Sequence, residues 1–195
     1  MNSRIRAHWI LGVTVFAAAS VYLAALTPHT FGFYHDDSIY VTTAKSLATG
    51  QGYSVISLPG SPVETKSPPF YPFLLSLIWW LYPQFPANLT PMMSLSIAAT
   101  IAVLLLAFRY LTRQGYASAG QALVIVGLTA FNWRTIVLAT GIYSEMFYAA
   151  LSIAALCLAE DYSKGSKSRP KGIGLGVLLG VAFLTRTSGI ALLLA

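Results

Sequence analysis

Apolar residues run along this chain in stretches long enough to matter to a bilayer, separated by short polar tracts. They cover about 9–27, 70–82, 91–108, 117–137, 143–159 and 172–195. A helix needs roughly 20 apolar residues to cross a hydrocarbon core of roughly 30 Å. Five of the stretches reach or approach that length and are read as transmembrane helices. The exception, 70–82, would span only roughly 20 Å at a rise of 1.5 Å per residue. Pro68-Pro69 precede it, Pro83 and Pro86 follow it, and Trp79, Trp80 and Tyr82 suit a water–lipid interface. It is predicted to be a juxtamembrane or re-entrant helix. The pattern gives an all-α, polytopic transmembrane bundle within one membrane domain, 1–195.

Charge supports this division. With Arg4 and Arg6 inside, six full crossings would place Arg109/Arg113 and the basic tract at 164–171 outside, against the positive-inside rule. Treating 70–82 as non-crossing brings both tracts to the cytoplasmic side. The outer segments are then 28–69 and a turn near 140–145, and the cytoplasmic loops are 109–115 and 160–171. Reporter fusions after Gly60, Gln114 and Ser168 should report outside, inside and inside; a cytoplasmic signal at Gly60 or an external one at Gln114 overturns this topology. Small residues at 17–20 also permit a cleavable signal peptide. An uncleaved first span fits better, because the run is of membrane-crossing length and further spans follow.

Composition excludes other classes. Hydrophobic residues make up 56% and charged residues 9%, against roughly 25% charged in soluble domains, and the mean hydropathy is +0.66. The net charge of +6 lies in short orienting tracts. It forms no basic face with aromatic readers, so nucleic acid is not an expected partner. Cys157 stands alone in an apolar run and reads as a packed residue. Gly172, Gly176 and Gly180, four apart, read as a close helix-packing face.

The outer segment is not a passive loop. Ile39/Tyr40, Thr43/Ala44 and Leu47/Ala48 recur at helical spacing. They predict a surface helix over 38–49, with Asp37 as N-cap, Gly50 as its stop and its apolar stripe towards the membrane. An irregular Gly/Ser/Pro-rich loop follows at 51–62. Only six acidic residues occur in the chain, and two of them are the adjacent pair Asp36-Asp37. One carboxylate suffices for capping, which frees Asp36 as a general base or a divalent-ion ligand. Glu145 opens an apolar helix, where an unpaired carboxylate is costly. Its structural alternative is an ion pair with Arg134, at the outer end of the preceding span. Lys66 and Arg186 have no obvious acidic partners, and phosphate oxygens suit such cations; contact with lipid head groups or a distant acid is the plainer reading. His35 beside two aspartates is a weak metal signature. The sequon at Asn88, followed by Pro91, is expected in a tight turn and unused.

In their order, these motifs resemble the GT-C polytopic glycosyltransferases, nearest the protein O-mannosyltransferase-like and lipid A aminoarabinose transferase-like branches. The resemblance rests on Asp36-Asp37 entering a helix with Tyr40 and Ala44, and on Gly50-Gln51-Gly52-Tyr53. It continues in Lys66-Ser67-Pro68-Pro69-Phe70-Tyr71-Pro72, Tyr143-Ser144-Glu145 and Phe183-Leu184-Thr185-Arg186. Ser67 between the lysine and the proline pair, and Glu rather than Asp at 145, depart from the family pattern.

The resemblance implies a sugar transferred from a polyprenyl-phosphate donor to a lipid, glycan or protein acceptor. The reaction would take place on the outer face of a bacterial inner membrane, with a cytoplasmic N-terminus. It implies Asp36 as base, Asp37 as an assisting or orienting group and Glu145 as a second acidic site, with a divalent metal between Asp36 and Glu145 conceivable. Lys66, Arg186, Arg134 and Tyr40 would meet the lipid phosphate. Family members have more spans, so the chain is expected to be an N-terminal portion. The competing reading is a non-catalytic polyprenyl-lipid-binding or transporter-like subunit.

Overall fold

The structure, a computed structural model, describes residues 3–164 and 168–194, with side chains from residue 5 onward. The side chain of Arg4, together with Lys167 and Ala195, on which expectations above rest, lies outside the described residues. Regular structure among these residues is helical: α1 (Ser3–Ala25), α2 (His35–Ala48), α3 (Phe70–Leu81), α4 (Leu89–Arg113), α5 (Ala119–Ala130), α6 (Trp133–Thr140), α7 (Glu145–Lys164), α8 (Arg169–Thr185) and α9 (Ile190–Leu194). The 49–69 connection holds one antiparallel bridge, Ser54 to Val63. Among the described residues, two helices are long and apolar enough to cross a membrane, over Ile5–Ala25 and Leu89–Arg113, and a third crossing results if α5 and α6 count as one. Trp9, Phe16, Leu23, Val124, Leu128 and Ile173 are exposed, as helices bathed in lipid allow.

Two expected spans are broken. The stretch read as one helix over 117–137 bends by 62° between α5 and α6. Asn132 takes extended backbone and its side chain accepts from the Arg134 N–H, so it caps a new helix rather than continuing the old one. At the break, the Tyr22 hydroxyl on α1 donates to the Ala130 carbonyl at 2.7 Å. That satisfies one of the acceptors a helix end leaves open. The run expected over 172–195 stops at Thr185; Arg186 is extended, and a tight turn at Thr187–Gly189 leads into α9.

The helices pack around α4. It meets α7 from Ala99 to Arg113, and α7 in turn carries α8, while α1 and the α5–α6 pair also pack on α4. One core joins Ala18 and Tyr22 of α1 to Leu104 of α4 and Val126 of α5. A second core joins α2 and α3, through Tyr40, Val41, Ala44, Tyr71, Leu75 and Trp79, to Met92 and Met93 of α4. Each such side chain, fully buried, contributes about 1.5–3 kcal/mol, enough to hold the short α2–α3 hairpin without ladder bonds. The buried stripe of α2 centres on Asp37, Tyr40, Val41 and Ala44, while Leu47 is only half-buried. Asn88 is wholly enclosed at the start of α4, so its sequon is unreachable.

At the opposite end from α2, Glu160 ties the α4–α5 turn to α7. It accepts from the hydroxyls of Tyr110 (2.8 Å) and Tyr116 (2.7 Å) and pairs with Lys164 (2.7 Å). These bonds, led by that of Lys164, hold its carboxyl at about 2, below the ordinary 4.5. A depressed carboxyl stabilises the fold above its unfolded value and loses that contribution as pH falls through the folded value. The protection of the 114–118 turn, its exchange rate relative to the unfolded chain at the same pH, is therefore expected to fall as pH drops from about 4.5 to about 2, and Glu160→Gln should abolish that dependence. A turn whose protection is unchanged over this window contradicts the assignment.

Candidate functional site

Local bonding divides the acidic pair. The helix begins at His35 rather than Ser38, with Tyr34 as an N-cap that offers no side-chain bond. Asp37 is therefore not the cap. It sits in the third helical position, almost fully enclosed, where its carboxylate accepts from Gly32 N–H (2.9 Å), Ser38 N–H (2.6 Å) and the Ser38 hydroxyl (3.1 Å). Reaching back into the turn before the helix, it satisfies a donor as the third residue of a capping box does. Asp36, one residue earlier, is half exposed and meets Lys66 Nζ at 3.4 Å.

Lys66 is placed by a residue that sequence reading passed over. Glu64, buried, accepts from the backbone N–H groups of Lys66 (2.6 Å) and Ser67 (2.8 Å), and the Tyr53 hydroxyl donates to the Ser67 carbonyl at 2.8 Å. The far end of the 49–69 connection is thus folded back over α2. Glu64 had one legible signal: it is an acidic residue two positions before the lysine in a chain poor in acids.

Glu145 opens α7 and pairs with Arg186 Nη1 at 2.8 Å. Arg134, the alternative partner considered for Glu145, is not the one it takes. Arg134 is exposed and makes no ion pair among the described residues, because the extended break after α8 delivers Arg186 to the carboxylate first. Lys66 and Arg186, for which the sequence offered no obvious acidic partner, each have one, and for Arg186 it is the distant acid left open as the alternative. Arg186 also donates to the Ser144 hydroxyl at 3.0 Å, and Ser144 meets the Tyr40 hydroxyl at 3.0 Å. Tyr40 packs edge-on against Tyr71, with centroids 5.1 Å apart. Burial pushes the Tyr40 phenol up from 10.0, and burial followed by the Asp37 charge does the same to Tyr143. Both phenols remain protonated near neutrality.

These side chains line two hollows that meet at Asp36. One, of about 380 Å³, has Tyr34, His35, Asp36, Arg134, Tyr143 and Glu145 in its wall. The other, of about 180 Å³, has Asp36, Tyr40, Lys66, Arg186, Thr187 and Ser188. An apolar groove of about 510 Å³, formed by Ala25, Phe33, Trp133 and Ile136, shares Tyr34, Val137 and Tyr143 with the first hollow. Tyr34 and Tyr143 cross edge-to-face at 5.6 Å along this shared wall. A larger hollow of about 700 Å³ runs along α1 between Ile5 and Phe16 and carries none of these charges.

The residues do not fit a metal. Asp36 and Glu145 are each already matched to a cation, and no cluster of three His, Cys, Asp or Glu side chains forms among the described residues. Among the described residues, the site offers one cation without an ion pair, two partnered ones, two carboxylates and protonated phenols beside an apolar groove. That donor set suits an amphiphile with an oxyanion head. One oxygen of Glu145, Oε2, is enclosed without a hydrogen-bond partner. No protein-family model, curated protein or solved structure matches the chain.

Proposed function

We propose that this protein is a membrane glycosyltransferase of the GT-C kind, acting on a sugar carried by a polyprenyl phosphate at the outer face of the membrane. The observation that carries the reading is the apolar groove opening into the charged hollow across Tyr34, Val137 and Tyr143. An isoprenoid chain fits the groove, and a phosphate head fits among Arg134, Lys66 and Arg186. In this reading Asp36 takes the proton of an acceptor hydroxyl as its oxygen forms the new bond to the anomeric carbon. The carbon–oxygen bond to phosphate breaks, and the departing phosphate gathers charge that the cations stabilise. The N-terminus lies in the cytoplasm, α2 and α3 lie along the outer face, and the remaining long helices form the bundle.

A second reading, non-catalytic binding of polyprenyl lipid, is favoured by one observation: both candidate carboxylates are tied to cations. Binding and turnover separate the readings. The protein in nanodiscs is expected to bind farnesyl phosphate at least tenfold (about 1.4 kcal/mol) more tightly than farnesol, and to transfer sugar from a polyprenyl-phosphate donor. Equal affinity for the phosphate and the alcohol removes both readings. Phosphate-selective binding without turnover leaves the second.

A further inference from the structure

We propose that Ser144 is a positioning residue that turns the Tyr40 phenol into a hydrogen-bond donor aimed into the 180 Å³ hollow, towards an oxygen of the bound phosphate. The inference rests on the phosphate-binding reading above. It follows from counting protons at a buried hydroxyl.

A guanidinium only donates, so in the Arg186–Ser144 bond at 3.0 Å the serine oxygen accepts. Ser144 is fully enclosed and has two side-chain partners, Arg186 and the Tyr40 hydroxyl at 3.0 Å. Among the described residues its single proton has one acceptor in hydrogen-bond reach, the Tyr40 oxygen. The opposite polarity, with Tyr40 donating, would make Ser144 accept twice and leave its own proton buried without an acceptor, the costlier arrangement. The bonds therefore run from Arg186 to Ser144 to Tyr40, and the phenolic proton is left over.

That proton has a destination. Tyr40 lines the hollow with Asp36, Lys66 and Arg186, and its ring cannot swing away. The ring is held edge-on by Tyr71, whose hydroxyl lies 3.3 Å from that of Ser96. Glu145 anchors the head of the chain at 2.8 Å from Arg186. A cation at one end polarises each successive hydroxyl and sharpens the last donor. Ser144 touches no ligand in this scheme; it fixes the direction in which Tyr40 points its proton.

The test uses the full chain in nanodiscs, with farnesyl phosphate as probe and farnesol as control. Tyr40→Phe and Ser144→Ala should each weaken phosphate binding about five- to tenfold and leave farnesol binding alone. The double variant should be no weaker than the poorer single one, because both remove the same donor. Ser144→Thr should recover most of the affinity. Unchanged affinity in Ser144→Ala, or losses that multiply in the double variant, overturns the proposal.

A ligand-free readout keeps the two readings apart. The phenol carbon–oxygen stretch of Tyr40, isolated by infrared difference against Tyr40→Phe, should carry the signature of an oxygen that accepts a hydrogen bond, and Ser144→Ala should remove it. If the protein does not prefer the phosphate to the alcohol, the functional reading falls, and this band still decides the direction of the chain. A phenol oxygen that accepts nothing in the unmutated protein refutes it.

Discussion

Asp36→Asn is expected to leave the fold intact and lower sugar transfer by about 10²–10⁴-fold, the usual contribution of a general base. The asymmetry comes from exposure. The Asp36 side chain is 49% exposed, and its partner Lys66 is 70% exposed at 3.4 Å. Ion pairs so open to water contribute roughly 0–1 kcal/mol. Asparagine keeps the shape and the hydrogen-bond acceptor but cannot take a proton from an acceptor hydroxyl. The decisive comparison is transfer rate against thermal midpoint for this variant and for Asp37→Asn. Asp37→Asn should show the reverse, because its two oxygens hold three donors in an enclosed turn. A variant at 36 that transfers normally removes Asp36 from the chemistry. One that unfolds makes it structural.

Gly189→Ala is expected to cost about 3 kcal/mol or more and to release Arg186 from Glu145. A β-carbon at this position would lie 2.7 Å from the backbone nitrogen and α-carbon of Phe183, and 2.8 Å from the carbonyl carbon of Ala182. No flexible side-chain tip is there to yield, so either α8 or the turn must move. Overpacking in well-filled sites typically costs 1–3 kcal/mol when side chains can adjust; backbone against backbone adjusts less. The turn is also where Gly189 N–H donates to the Arg186 carbonyl at 2.8 Å, so displacement is felt at once by the arginine. Thermal unfolding in detergent, paired with farnesyl-phosphate affinity, checks the prediction. A normal midpoint with normal affinity shows that the turn yields more freely than its packing implies.

Much of the helical plan was readable from hydrophobic runs. All-helical structure, long helices at the first and the 91–108 stretches and a short apolar helix after Pro68-Pro69 follow from run length. What failed to read was breakage inside a run. Residues 117–137 are apolar enough overall to read as one run, which hides a cap, yet Asn132 is a residue that caps helices and rarely continues them. The end of α8 was signalled by Thr-Ser-Gly after Arg186, but a basic residue in an apolar run looks like a buried charge before it looks like a helix end. The pairing of Glu145 with Arg186 depends on that break and was therefore invisible. Ser144 was visible only as the neighbour of an acid; nothing in its local sequence says that it bridges two elements. That Asp36 and Asp37 differ in local bonding was legible in outline, though the helix starts earlier than capping preference suggested and Asp37 serves the turn behind it.

The two cation–carboxylate bridges at the site differ in wetness: Lys66–Asp36 stands largely in water, whereas Arg186–Glu145 is about one-third exposed. Mobile ions reach the first and screen it, and reach the second far less. Ionic strength thus acts as a selector between them. Rising salt is expected to weaken the hold of Lys66 on Asp36 and leave the grip of Glu145 on Arg186 nearly unchanged. Of the two contacts, the outer one at Asp36 is thus the more open to competition from a dissolved anion or cation.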